Sequence, residues 1–204
     1  DNTTIINQVV YDFNGTGALN SLSSPISATD LAYQSKYLQY LGLPYLASNF
    51  DGELTLSSPN PLDGGSLNDY YSDDITKQAD LTIASADNYP FSRVISDAAG
   101  RPKEMSAPGE TFRIGGGSDL DNNGDANKTS RTTKIYYAAV TDDELIKVFG
   151  NEAPSSSGMF KIIQLDPNKQ ATITYKSVDG KVIATCLSGA SGLTEALDEY
   201  EPTT

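Results

Sequence analysis

Short runs of β-branched and aromatic residues, each ended by a turn sequence rich in Asp, Asn and Gly, recur along this 204-residue chain. The chain contains 17 Gly and 10 Pro, and its longest apolar runs fall far short of the roughly 20 residues that a transmembrane helix needs. Turns this frequent favour hairpins of short antiparallel strands over long helices. We therefore expect a mainly β fold, in which antiparallel hairpins form a curved sheet or partial β-shell, with one short α-helix near residues 141–150.

Four regions of the chain alternate apolar and polar residues in the manner of strands, and turn sequences separate them. The first region contains Asn14-Gly15, for which we expect a type I′ turn because Asn and Gly tolerate positive φ. The last region predicts a three-strand meander, since its alternation and its turn residues agree. The four regions are residues 5–22, 91–106, 132–140 and 160–187.

The predicted helix has a start signal and a stop signal. Thr141 is placed to cap the N-terminus, and Glu144 follows three residues later, as in a capping box. Gly150 ends the helix. Its apolar face is expected to comprise Leu145, Val148 and Phe149.

Other regions have weaker patterns. In residues 27–41 the spacing of Leu and Tyr favours a short helix, and in residues 51–69 the Gly and Pro content predicts a loop. Residues 110–114 are expected to extend the sheet. Cys186 lies in the last predicted strand, where we expect it to act as a small buried apolar residue.

The chain has no His, a single Cys, and 27 Asp and Glu residues against 14 Lys and Arg residues, which gives a net charge of −13. These counts exclude a Ser-His-Asp triad, a Cys-His dyad, a His-ligated metal centre and a disulfide within the chain. Acidic charge repels phosphate, so we expect no nucleic-acid partner. A hydrolase that uses paired carboxylates, such as those of Asp142 to Glu144, stays an alternative. Carboxylates at the start of a helix also stabilise it by capping its N-terminus. We therefore expect a protein that is not an enzyme.

Three hairpins share one format, in which an apolar strand leads to Asp or Asn with Gly nearby and a second strand returns. They contain Tyr11–Gly15, Ser96–Arg101 and Tyr175–Lys181. This format resembles the YD repeat of RHS proteins, whose Tyr-Asp-x-x-Gly-Arg hairpins stack into long β-sheets.

The order of short motifs over 89–116 and 141–190 resembles one group within that family, the very large secreted RHS-like proteins of Bacteroidota that are exported by type IX secretion. The turn at Asn168-Lys169-Gln170 lacks the expected Gly, and residues 117–130 look like an insertion. The motifs are, in order, Tyr89-Pro90-Phe91-Ser92-Arg93, Gly100-Arg101-Pro102, Ala107-Pro108-Gly109-Glu110, Asp143-Glu144-Leu145, Phe149-Gly150, Asp166-Pro167-Asn168 and Asp179-Gly180-Lys181-Val182-Ile183-Ala184-Thr185.

The resemblance implies a structural segment of a secreted or cell-surface protein, acting as scaffold or shell or in adhesion, with no common catalytic residues. Its implied partners are the remainder of a larger parent polypeptide and, during export, the outer-membrane secretion machinery. We accordingly expect one YD-repeat-like domain over residues 1–194, with antiparallel hairpins of YD-repeat type, and an acidic tail or linker over residues 195–204.

The segment from Asp119 to Ser130 has the residue pattern of a calcium-binding loop. Oxygen-bearing side chains stand at its positions 1, 3, 5, 7 and 9, and Gly124 stands at position 6, where calcium-binding loops bend sharply. Position 12 is Ser130 instead of the bidentate Glu of an EF-hand. The loop is therefore either a calcium site, with Ca²⁺ as the cofactor, or a solvated hairpin tip. The candidate ligands are Asp119, Asp121, Asn123, Asp125 and Asn127.

The 12 Tyr residues leave a second function open. Tyr70-Tyr71 and Tyr136-Tyr137 are doublets, which in a strand would place one ring on each face. Exposed tyrosine rings stack on sugars, so the alternative function is a β-sandwich that binds glycans with the help of calcium. Tyr is also an ordinary strand residue whose hydroxyl reaches water.

Overall fold

The structure is a computed structural model and describes residues 3–27, 33–51, 58–74, 76–77, 86–115, 131–168 and 170–188. The chain divides into two compact units: unit 1 is Asp1–Gly100 with Met105–Thr132, and unit 2 is Arg101–Glu104 with Thr133–Thr204. Across the described residues, no helix has the length and apolar character needed to cross a membrane.

The expected mainly β fold, with antiparallel strand pairs and a short helix after residue 141, is confirmed. The helices are α1 (Ser66–Tyr70) and α2 (Asp142–Phe149). The strands are β1 (Thr3–Ile6), β2 (Val9–Tyr11), β3 (Gly17–Ser21), β4 (Ser24–Ser27), β5 (Gln39–Tyr40), β6 (Leu43–Pro44), β7 (Phe91–Ser96), β8 (Pro102–Met105), β9 (Thr133–Ala139), β10 (Met159–Leu165), β11 (Ala171–Ser177) and β12 (Val182–Ser188).

Unit 1 contains three small groups of strands. β3 lies between β2 and β7, β1 pairs with β4, and β5 pairs with β6, all in antiparallel fashion. Aromatic residues fill much of the core: the Tyr45 ring stacks with Phe50 and contacts Phe91. The buried apolar residues are Val10, Ala18, Leu19, Tyr37, Leu38, Tyr45, Phe50, Leu62, Leu67, Tyr89 and Phe91.

Unit 2 is a sheet with the strand order β8-β9-β10-β11-β12, in which the last three strands form the predicted meander. Strand alternation gives the sheet two faces. On one face Leu145 of α2 packs against Tyr175 and Val140, and partly buried residues surround this cluster. On the same face Ile163, Leu165 and Ala171 form a second buried cluster. A β-bulge between β11 and β12 leaves Ile183 as the extra residue, because Ala184 pairs with Tyr175 and Val182 pairs with Lys176.

Three local expectations are wrong for the described residues. Residues 33–41 contain no helix, because Tyr37 and Leu38 enter the core from a turn and β5 follows at once. The predicted loop over 51–69 includes the start of α1. Residues 110–114 do not extend the sheet, since Glu110–Phe112 form a 3₁₀ turn.

Candidate functional site

The predicted calcium loop lies outside the described residues, and this includes its five candidate ligands Asp119, Asp121, Asn123, Asp125 and Asn127. In the part of the chain that the structure describes, no group of three or more His, Cys, Asp or Glu side chains could hold a metal ion. Calcium binding therefore stays a prediction from the sequence.

The hairpin turns, in contrast, are well described, and two of them are built in the same way. In the first, Asp12 Oδ1 accepts hydrogen bonds from the Asn14 N–H at 3.0 Å and the Thr16 N–H at 2.8 Å. The Gly15 N–H donates to the Asp12 carbonyl at 3.0 Å, and Gly15 has φ 76°. A type I′ turn needs positive φ at Asn14 as well, but only Gly15 has it, so the expectation of a type I′ turn is wrong. The Asp12 carboxylate explains the observed turn, because it binds the N–H groups of Asn14 and Thr16.

The second turn, at Asp97–Gly100, repeats these contacts. Asp97 Oδ1 accepts from the Ala99 N–H at 2.9 Å, and the Gly100 N–H donates to the Asp97 carbonyl at 2.9 Å. Gly100 has φ 77°, close to the value of Gly15. Both turns therefore follow the pattern Asp-x-x-Gly, in which Asp satisfies the N–H groups of the turn and Gly takes the left-handed position.

The two turns of the meander are variants of this pattern. Asp166 Oδ1 accepts from the Asn168 N–H at 2.9 Å and the Gln170 N–H at 2.8 Å, as Asp12 does four residues before Thr16. In the last turn Ser177 replaces the Asp: the Gly180 N–H donates to the Ser177 carbonyl at 2.8 Å, and Gly180 has φ 83°. The Ser177 hydroxyl also binds the Asp179 carboxylate, which lowers the pKa of Asp179.

A buried polar cluster joins α2 to the sheet in unit 2. Lys161 is 3% exposed, and its Nζ lies 2.7 Å from Glu144 Oε2. The Tyr175 hydroxyl donates to Glu144 Oε1 at 2.7 Å, so both carboxylate oxygens have a donor. The predicted capping box is therefore only half present. Thr141 does accept from the Glu144 N–H at 3.3 Å, but the Glu144 side chain faces the sheet.

Asp142, another acidic residue at the start of α2, also makes a structural contact. Asp142 Oδ1 accepts from the Ser156 N–H at 2.8 Å, which ties the loop before β10 to the helix. This hydrogen bond lowers the pKa of Asp142. The contacts of Asp142 and Glu144 thus account for both carboxylates by packing and capping.

A cation lies deep in the aromatic core of unit 1. Arg93 is 2% exposed, and its guanidinium lies 5.2 Å from the centre of the Phe50 ring. Asp51 is the nearby carboxylate, with one oxygen 3.9 Å from Arg93 Nη2 and the other accepting from the Phe13 N–H at 3.1 Å. Burial raises the pKa of the neighbouring Tyr45 hydroxyl, while the Arg93 charge opposes that rise.

The tyrosine doublets divide into two cases. Tyr136 and Tyr137 lie in β9 on opposite faces, as expected. The Arg101 guanidinium lies 4.2 Å from the centre of the Tyr137 ring and therefore occupies one side of the ring that a sugar would use. Tyr70 and Tyr71 lie at the end of α1, where their rings meet edge to face at 5.1 Å, so the expectation of a strand doublet is wrong there.

Sequence reasoning missed the partners of Lys161 and Arg93. Each residue adjoins apolar strand residues, as in Phe160-Lys161-Ile162 and Arg93-Val94-Ile95, and lies on the buried face by strict alternation. A charged residue at a buried position of a strand is the signal that predicts a buried partner. The partner itself depends on the tertiary structure, because α2 and the segment around Asp51 are remote in sequence.

Comparison with known proteins adds no relative: no family model, no curated protein and no solved structure matches the chain.

Proposed function

We propose that the chain is a structural YD-repeat-like segment of a secreted or cell-surface bacterial protein, acting as scaffold or shell or in adhesion, and not an enzyme. The observation that supports this most is the repeated hairpin turn. Asp12, Asp97 and Asp166 each accept hydrogen bonds from the N–H groups of their own turn, and Ser177 begins the fourth turn of the series. A unit that is repeated with the same turn geometry is a feature of proteins that build long sheets from stacked hairpins.

The buried charged residues support a structural role as well. Glu144 has both oxygens bound by Lys161 and Tyr175, and this arrangement fixes α2 on the sheet. Arg93 lies against Phe50 within the core of unit 1. Both cations are buried and have a carboxylate nearby, an arrangement that agrees with a role in packing.

In this role the chain packs against the remainder of a larger parent polypeptide, whose further hairpins continue its sheets. The outer-membrane secretion machinery would be a transient partner during export. The carboxylates and turns described above bring no chemistry to such contacts, because they satisfy the backbone of the hairpins themselves.

The test compares the 204-residue chain with the same residues inside the parent polypeptide by hydrogen–deuterium exchange. We expect the amides of the edge strand β12 to exchange at least about tenfold more slowly in the parent, since an added strand protects a sheet edge. Equal exchange rates together with a cooperative, high-temperature melt of the isolated chain would contradict the proposal.

A glycan array, run with calcium and with a chelator, distinguishes the alternative. Calcium-dependent binding of a glycan would contradict a purely structural role and support the glycan-binding β-sandwich. Absence of any signal under both conditions agrees with the proposal. Asp121→Ala serves as the matched variant, because it removes a candidate calcium ligand and leaves the described hairpin turns unchanged.

A further inference from the structure

The last strand of unit 2 has an open edge. β12 pairs with β11 on one side, and no other strand among the described residues pairs with it. Val182 is 52% exposed and Leu187 is 75% exposed. The strand contains no charged residue and no proline, which are the features that commonly prevent pairing at sheet edges.

The sequence of this edge is complementary to itself. When two copies of β12 run antiparallel with Thr185 opposite Thr185, Ile183 lies opposite Leu187 and Ala184 lies opposite Cys186. Directly opposite residues share a face of the sheet. The small side chains of Ala184 and Cys186 therefore meet on one face, where they adjoin the cluster around Leu145, and Thr185 and Leu187 lie on the other face.

Unit 2 carries less of the acidic charge than unit 1. Over their whole sequences, unit 2 has eight Lys or Arg and eleven Asp or Glu, a net charge of −3, and unit 1 has six against sixteen, a net charge of −10. The chain as a whole has a net charge of −13, which would oppose association through its acidic regions. Among the described residues, the β12 edge thus combines backbone groups that have no strand partner with exposed apolar side chains, in the less acidic of the two units.

We propose that two copies of this chain pair antiparallel along β12, with Thr185 at the twofold axis. The inference goes beyond the proposed function and concerns the chain outside a parent polypeptide, because a parent hairpin added at β12 would occupy the same edge. The dimer joins two five-stranded sheets of unit 2 into one continuous sheet across the axis. Such a strand-to-strand contact is small, so we expect a dissociation constant of roughly 10–100 µM.

Sedimentation velocity over a range of protein concentrations tests the association. We expect a reversible monomer–dimer equilibrium for the native chain, and a dissociation constant raised at least about tenfold by Thr185→Lys, which places two like charges directly opposite each other. Thr174→Lys is the matched control, since Thr174 pairs with Thr185 on the same face but lies on β11. A monomer at all concentrations, or a dimer that Thr174→Lys weakens as much as Thr185→Lys does, would overturn the proposal.

Disulfide trapping tests the register. With Cys186→Ala as background, Thr185→Cys should form an interchain disulfide under mild oxidation, because opposite positions of an antiparallel pair lie within disulfide reach. Thr174→Cys in the same background should not. The native chain should also cross-link poorly, since Cys186 faces Ala184 of the other copy. Efficient cross-linking of the native chain without cross-linking at position 185 would refute this register. Circular dichroism and the melting temperature confirm that each variant is folded.

Discussion

Among the described glycines of unit 1, Gly65 has the least room for a side chain. Its φ is 95°, and a Cβ at this position would lie 2.6 Å from the Tyr37 carbonyl oxygen and 2.9 Å from that of Lys36. Both atoms belong to the backbone, so neither can move aside at low cost. We expect Gly65→Ala to lower the free energy of unfolding by about 3 kcal/mol, as measured by urea denaturation.

Gly42 provides the control for this prediction. It has φ 71°, and a Cβ at this position would have no other atom within 4 Å. Gly42→Ala should therefore cost only the left-handed penalty of about 1 kcal/mol. Equal losses for the two variants would show that close contact with the Tyr37 carbonyl is not the cause.

The Tyr45 hydroxyl should make the protein sensitive to alkaline pH. Burial raises the pKa of Tyr45 well above its ordinary value of 10.0, and the hydroxyl donates to the Asn60 carbonyl at 2.7 Å. At a pH between 10.0 and the raised pKa of Tyr45, this hydroxyl loses its proton in the unfolded chain and keeps it in the folded chain. The free energy of unfolding should therefore fall by about 1.4 kcal/mol per pH unit above pH 10 for this group.

Urea denaturation between pH 8 and pH 11 measures this slope. Tyr45→Phe removes the titrating group and should make the alkaline decline shallower. Tyr11→Phe is the control, because it makes the same substitution at an exposed tyrosine, which is 60% exposed. If the free energy of unfolding of the Tyr45→Phe variant fell as steeply with pH as that of the native chain, the pKa of Tyr45 would not be the cause of the alkaline decline.

At the scale of elements, a buried ion pair contributes to the attachment of α2 beside the packing of Leu145. Glu144→Leu removes the partner of the buried Lys161 ammonium and should lower the free energy of unfolding by about 3–5 kcal/mol. Lys161→Met combined with Glu144→Leu removes both charges, so the double variant should be more stable than Glu144→Leu alone. Thermal and urea denaturation of the single and double variants give the coupling energy. If the losses of unfolding free energy in Glu144→Leu and Lys161→Met added up in the double variant, a direct interaction between the two side chains would be contradicted.

The elements of unit 2 could be predicted because local and tertiary preferences agree there. Thr141 and Gly150 mark the ends of α2, and the alternation of β10 to β12 matches their pairing. In unit 1 the same reasoning fails around Tyr37, because this tyrosine is held by its hydroxyl, which donates to the Ile6 carbonyl at 2.8 Å. The residue pattern within a short segment cannot predict a hydrogen bond to a residue that is 31 positions away in sequence.

The turns show the same limit at smaller scale. Asn14-Gly15 predicts a type I′ turn when only two residues are considered, but Asp12 lies two residues earlier and binds the N–H groups of the turn. The Asp-x-x-Gly pattern, present also at Asp97, would have predicted the observed geometry. For the candidate calcium site the sequence alone supports the prediction, because Asp119 to Asn127 lie outside the described residues.

For the whole molecule, the acidic charge should limit stability at low salt. With 27 acidic and 14 basic side chains, the folded chain holds like charges closer together than the unfolded chain does. Raising NaCl from 10 to 150 mM shortens the screening length from about 30 Å to about 8 Å. We expect the melting temperature to rise by about 2–4 °C, which for a chain of this length corresponds to about 1 kcal/mol.

Calcium should act beyond this general screening if the Asp119–Asn127 loop binds it. At equal ionic strength, 1 mM CaCl₂ should raise the melting temperature further, whereas MgCl₂ should not, because Mg²⁺ requires a tighter octahedral geometry and keeps its waters. Asp121→Ala should abolish the calcium increment and leave the NaCl dependence nearly intact. An identical response to both divalent cations would assign the effect of calcium to screening alone, and the acidic residues of this loop would then contribute only to the net charge.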